Sequence, residues 1–204
     1  MNFSCNYLQE TALIAEKINP DDIRKIVAVL ARVKKQRGRI FFIGMGGSAA
    51  NCSHAVNDFR KIAEIEAYTP TDNVPEFSAR INDDGLESSF SRWLHTSKMC
   101  RKDCLFIMSV GGGSIEEEIS KNIIVAISFA KGVGAAVVGV VGRDGGYTAK
   151  KADVCAVIPV VAPERITPHT EAFQSVICHL IVSHPDLKSV KTKWESLGFA
   201  RRAL

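Results

Sequence analysis

The stretch RIFFIGMGGSAANCSHAVNDF (residues 39–59) decides the fold. It runs from a solid apolar block into a glycine turn, then a serine, and ends with His54 and Asp58 four residues apart. An apolar run without alternation suits a strand covered on both faces, as in the middle of a parallel sheet. The glycines permit a tight strand-to-helix turn, and the polar and apolar residues that follow have the period of a helix over about 47–62.

Working outward, CLFIMS (104–109), AAVVGVVG (135–142) and DVCAVIP (153–159) repeat the pattern of short, apolar, β-rich runs, and EIEAY near residue 66 is a weaker fifth strand. Helical patterns at about 86–97, 115–131, 145–152 and 167–183 lie between or after them. Strands alternating with helices predict an α/β three-layer fold, a central parallel sheet flanked by helices. Two further helices lead the chain, one over about 4–17 and one opened by Asn19, Pro20, Asp21 and Asp22. Asn at the cap, Pro in the first turn and acids beside it suit a helix N-terminus. The expectation is one domain over 1–204 with a helical N-terminal extension, 1–37, and a polar helical tail over the last twenty residues.

Composition narrows the function classes. Hydrophobic residues at 46% and charged residues at 24% describe a globular protein rather than a disordered chain. The longest apolar runs stop short of the roughly 18 residues that a membrane span requires, so no membrane partner is expected. The N-terminus lacks a basic start followed by a pure apolar run and reads as mature structure. The six cysteines show no repeated pairing and read as reduced thiols of a cytoplasmic protein. Cys100 and Cys104, four apart, lack the second pair that a zinc knuckle needs. The densest basic cluster, RVKKQRGR (32–39), has no interleaved aromatic residues and reads as a solvated helix end, not a nucleic-acid site.

In open parallel sheets, ligands bind beyond the carboxyl ends of the strands. There the sequence places GMGGS after the strand at 39–44 and VGGGS after the strand at 104–109. Two such turns let backbone N–H groups and the hydroxyls of Ser48 and Ser114 surround an anion, and phosphate is the obvious guest. A dinucleotide site is disfavoured: Gly44 and Gly46 have the GxG spacing, but Ala49 replaces the third glycine. No Lys-Ser or Lys-Thr follows the glycines as a Walker loop demands. His54 and Asp58 share one helix face. Glu171 and His179 stand eight residues apart, about two turns and on nearby faces of a later helix. Each pair alone reads as a helix-surface hydrogen bond; together they offer two imidazoles and two carboxylates, a donor set that suits zinc. His169 and His184 read as surface or capping residues.

GMGGSAANCSH, INDDGLESSFSRWL, SVGGGS, GRDGGYTAKKADVCAVIP and TPHTEAFQSVICH, in this order after two leading helices, resemble the phosphoheptose isomerases, the sedoheptulose 7-phosphate isomerases of the sugar isomerase (SIS) domain superfamily. The resemblance covers nearly the whole chain. It implies that Gly46, Gly47 and Ser48 line the sugar-phosphate site, that Ser109 and Ser114 bind phosphate, and that Asn82 and Asp83, otherwise an ordinary Asx turn, contact substrate. Val110 and Gly111 stand where the family has hydroxyls. The family's His, Glu, Gln, His metal set falls on His54, Asp58, Glu171 and His179, with two of the four positions changed.

The implied reaction is aldose–ketose isomerisation of sedoheptulose 7-phosphate to a manno-heptose 7-phosphate for bacterial surface glycans, through an enediol. Asp58 or Glu171 would be the base, Glu171 favoured by reach, and Glu171 would also touch substrate. His179 would be the acid, with zinc polarising the sugar oxygens. The implied assembly is a homotetramer with sites between subunits. The alternative is a non-catalytic SIS-domain regulator that binds a sugar phosphate or a protein, of the type that binds the replication initiator.

Overall fold

The computed structural model describes residues 2–197. Five parallel strands form one sheet: β1 (Ile40–Ile43), β2 (Ala67–Tyr68), β3 (Cys104–Ser109), β4 (Ala136–Val141) and β5 (Val154–Val157), in the order β2-β1-β3-β4-β5. The nine α-helices described are α1 (Phe3–Lys17), α2 (Pro20–Lys35), α3 (Gly47–Lys61), α4 (Val74–Asp84), α5 (Leu86–Thr96), α6 (Lys121–Gly132), α7 (Gly146–Lys151), α8 (Ile166–Ser183) and the single turn α9 (Lys193–Ser196). No helix among the described residues is long and apolar enough to cross a membrane.

Alternation along the strands builds two cores. Ile40 and Phe42 of β1, with Phe106 of β3 and Val138 of β4, join Ile26 and Leu30 of α2, Phe59 of α3 and Ile177 of α8. Phe41 and Ile43 face the other way, with Leu105 and Ile107, onto Phe90 and Leu94 of α5 and Ile127 of α6. Both faces of the sheet are therefore covered, which is why its strands read as unbroken apolar runs. Phe42 is fully buried, its ring centroid 4.9 Å from that of Phe106 and 5.3 Å from that of Phe59.

The three-layer α/β architecture and all five strands follow the expectation, the weak one at 67–68 included. Three segments differ. The helix expected from 115 starts at Lys121, because residues 114–119 close an antiparallel bridge, Ser114 with Ile119, instead of a helical turn. Ser114 Oγ accepts from Glu117 N at 3.1 Å, and Glu118 and Ser120 take positive φ angles of 55° and 53°, which a helix excludes. Residues 74–84, where no helix is marked by the sequence pattern, form α4, capped by Asn73 Oδ1 on Glu76 N with Pro75 in the first turn. Among the described residues the tail is helical only at α9. Before it, Lys34 Nζ donates to Leu187 O at 2.8 Å and Ser189 N to Ile62 O at 2.9 Å, so the chain lies across the ends of α2 and α3. The part of the expected tail beyond 197 lies outside the described residues.

The basic cluster is the exposed end of α2. Its last member, Arg39, pairs with the buried Asp103 at 2.8 Å, a structural ion pair. All six cysteines are free, Cys104 being buried in β3 and Cys100 exposed before it.

Candidate active site

The chain leaves β1 for β2 on one side and returns to β3 on the other. The carboxyl ends of β1 and β3 thus flank a crevice, the place where open α/β sheets bind ligands. The two glycine loops meet there and enclose a cavity of about 300 Å³ that includes Ser48, Ser109, Gly111 and Arg143 in its lining. In the first loop Gly46 caps α3 at φ 59°, ψ −131°, a conformation open to glycine. Gly47 lets the loop approach α8 closely. A β-carbon there would lie within contact distance of the Glu171 carboxylate, which rests against its backbone. Ser48 is buried, and its Oγ accepts from Gln174 Nε2 at 3.0 Å. Gln174 Oε1 and the Glu171 carbonyl both accept from Asn51 Nδ2, a network that sets the register of α3 against α8.

In the second loop Ser109 Oγ accepts from Gly112 N at 3.0 Å. Ser114 Oγ donates to Glu116 Oε2 at 3.3 Å and lies in the short acidic turn 114–119. A turn rich in carboxylates is poor company for a phosphate, so the geometry gives Ser114 less to offer than its spacing implied. Asn82 and Asp83 are also placed otherwise than expected. They are not in an Asx turn but in the last turn of α4, exposed, with Asn82 Nδ2 donating to Asp83 Oδ1 at 2.7 Å, and neither lines the cavity between the loops.

Further along the same helix pair, His54 and Asp58 of α3 meet His179 of α8. Asp58 Oδ2 lies 3.2 Å from His54 Nε2 and 3.3 Å from His179 Nε2, and the two imidazole nitrogens are 3.3 Å apart. Tetrahedral ligands at about 2.0–2.1 Å from one ion are about 3.3–3.4 Å from each other. Three donors of the right type already stand at that mutual spacing, so these residues fit a divalent metal with a fourth position open. Asp58 is the least exposed of the three, and its Oδ1 accepts from Asn57 Nδ2 at 2.9 Å.

Glu171, expected as the fourth ligand, stands outside this group. Side chains on a helix lean toward its N-terminus. Glu171 accordingly reaches to Gly47, at the start of α3, and away from His179. Among the described residues its carboxylate accepts no hydrogen bond and forms no ion pair. His169 also departs from expectation: it is buried, stacked on Tyr7 at 4.5 Å and bonded through Nε2 to Glu10 at 2.8 Å, tying α1 to α8. His184 does cap the end of α8, its Nδ1 accepting from Asp186 N.

The architecture is that of a sugar-isomerase-type α/β domain, and comparison with known proteins agrees. The profile of the SIS domain family matches residues 6–142. The phosphoheptose isomerase of Sulfurimonas denitrificans is 33% identical over 168 residues, 79% of this chain and 80% of that protein. The lincomycin biosynthesis protein LmbN of Streptomyces lincolnensis is 30% identical over 190 residues, 88% of this chain and 67% of that protein. The solved phosphoheptose isomerase of Neisseria gonorrhoeae superposes with a TM-score of 0.73 at 25% identity, covering 87% of this chain and 97% of that one. The chain belongs to the SIS-domain superfamily and, within it, to the phosphoheptose isomerase family of phosphosugar isomerases.

Proposed function

We propose that the protein is an aldose–ketose isomerase that converts sedoheptulose 7-phosphate to a manno-heptose 7-phosphate, as a homotetramer with one zinc ion per subunit. The observation that carries the reading is the convergence of His54, Asp58 and His179 at metal-ligand spacing in a chain of this family. Two nitrogens and one oxygen suit zinc. When bound, the metal would polarise the sugar's carbonyl and hydroxyl oxygens.

The proton that moves between adjacent carbons needs a carboxylate with a free lone pair near the sugar. Asp58 has both oxygens engaged, by two imidazoles and by Asn57. Glu171 has neither, and it sits beside the glycine loop, so we assign it as the base. His179 turns Nε2 into the metal group, and the ligand role is the one we keep for it. A regulator would have no use for these three donors, and this favours the enzyme over the non-catalytic alternative. We confine the proposal to the isomerisation, because relatives of comparable identity carry names tied to different end products.

The test is to incubate zinc-loaded protein with sedoheptulose 7-phosphate in deuterated water and follow both the product and deuterium at carbon by nuclear magnetic resonance. Product with carbon-bound deuterium is expected. Neither one appearing, with zinc bound, would sink the reading.

A further inference from the structure

We infer that Arg143 is the cation that holds the substrate's phosphate, and that Glu117 is the counter-ion it gives up on binding. The inference rests on the reading above that the ligand is a sugar phosphate. It begins with a deficit. A guanidinium holds a phosphate dianion more firmly than neutral donors do, and neither glycine loop carries a cation. At the first loop the Glu171 carboxylate already lies against Gly47 and repels a second anion, and Ser48 Oγ, which accepts from Gln174, has one neutral O–H to give. At the second loop Ser109 Oγ accepts from Gly112 N and keeps one neutral O–H to give, and Ser114 spends its own on Glu116. Val110 and Gly111 bring no hydroxyl.

Arg143 meets that need. It is the one charged residue among those lining the cavity between the loops. Its position is fixed by backbone geometry. Gly142 N donates to Val110 O at 3.1 Å, Tyr147 N to Gly113 O at 2.8 Å and Thr148 Oγ1 to Gly112 O at 2.7 Å, so the turn that carries Arg143 is bolted to the second glycine loop. Arg143 itself holds φ at 51°, a left-handed conformation that a non-glycine residue adopts at some cost. The side chain runs over Gly111, where a β-carbon would stand 3.6 Å from Arg143 Cδ.

The pairing of Arg143 with Glu117 is loose, 3.7 Å between Nη1 and Oε2 with both side chains about half exposed. Such a pair contributes little to stability. A dianion with oxygens spaced for the guanidinium fork would displace it.

Binding of inorganic phosphate, read by titration calorimetry, tests the assignment without depending on which sugar is used. Arg143→Gly removes the charge and relaxes the backbone, so it should melt no lower than wild type and yet bind phosphate about 10-fold or more weakly. Arg143→Lys, which keeps charge but loses the fork, should fall between the two. Glu117→Gln, which frees the guanidinium, should tighten phosphate about 2- to 5-fold. Equal phosphate affinity in wild type and Arg143→Gly, no phosphate binding by wild type, or weaker binding by Glu117→Gln would each overturn the inference. Isomerisation of sedoheptulose 7-phosphate, assayed in parallel on wild type, separates the two claims. Activity with an affinity indifferent to position 143 overturns the Arg143 assignment alone. An affinity that depends on Arg143, without isomerisation, overturns the substrate reading alone.

Discussion

Glu171 and Asp58 are two carboxylates with opposite surroundings, and the difference divides their work. Asp58 is clamped between two imidazoles at 3.2 and 3.3 Å, whereas Glu171 has no hydrogen-bond partner among the described residues and lies against the one loop position where a β-carbon would clash with it. Glu171→Gln keeps the shape and removes the basic oxygen. Solvent-deuterium exchange at carbon should then fall by about 100-fold or more, the range for loss of a general base, while the zinc content stays at the wild-type value. Asp58→Asn should instead lower zinc content, since an amide would be a poorer ligand than a carboxylate for a metal held with His54 and His179. Exchange surviving in Glu171→Gln and vanishing in Asp58→Asn with its metal retained would reverse the assignment.

At the scale of elements, α3 and α8 act as one unit, registered by Asn51 and Gln174 and carrying all three donors of the candidate metal group. Alanine at both His54 and His179 would leave Asp58 alone in the group, and bound zinc measured by elemental analysis should drop to background; retention of stoichiometric zinc would refute this ligand set. A second element, α1, is docked through charge. Arg165 and His169 both bond the Glu10 carboxylate, and the Arg165 hydrogen bonds chiefly, then those of His169, lower its pKa from the ordinary 4.5 to about 2. A depressed folded-state value stabilises the docked form above the unfolded pKa, and that contribution is lost as pH falls from 4.5 toward 2. Amide exchange in α1 should rise through that window in wild type and show no such step in Glu10→Gln; identical profiles would remove Glu10 from the account. The elements with strong periodicity were legible in the sequence: β1, β3, β4 and β5 through their unbroken apolar runs, and α3 and α8 through the spacing of their polar residues. The start of α6 was not, because a bridge closed by Ser114 and Ile119 competes with helix over residues whose composition suits either. Of the site, His54, Asp58 and His179 could be read from spacing plus resemblance. The direction of Glu171 could not, since it depends on how α8 is registered against Gly47, nor could Arg143, whose place depends on bonds between two loops about thirty residues apart in sequence.

For the whole molecule, the leading helix poses a question that one chain does not answer. α1 has 15 residues but buries only Ile14 fully, while Phe3, Leu8 and Leu13 stay exposed. Helices in proteins are stabilised mainly by packing an apolar face, and a single buried side chain with one ion cluster is a thin hold. On α8, Val176 and Leu180 form an exposed apolar stripe next to His179, whose side chain is itself about half exposed. Two unpartnered apolar surfaces, one of them bordering the metal group, argue that neighbouring subunits cover both. The homotetramer proposed above would do so, and would shield the metal group from solvent. Sedimentation should therefore show a particle near four times the 22.2 kDa chain. Replacing both Leu8 and Leu13 with lysine puts charge on α1 without touching the metal donors or either glycine loop. This variant should sediment as smaller species, and its α1 amides should exchange faster than those of the wild type. Its zinc affinity should also fall, although every ligand is intact, because the open side of the metal group is left to water. A wild-type protein that sediments as a monomer, or a dissociated variant that holds zinc as tightly as the wild type, would show that the metal site is complete in one chain.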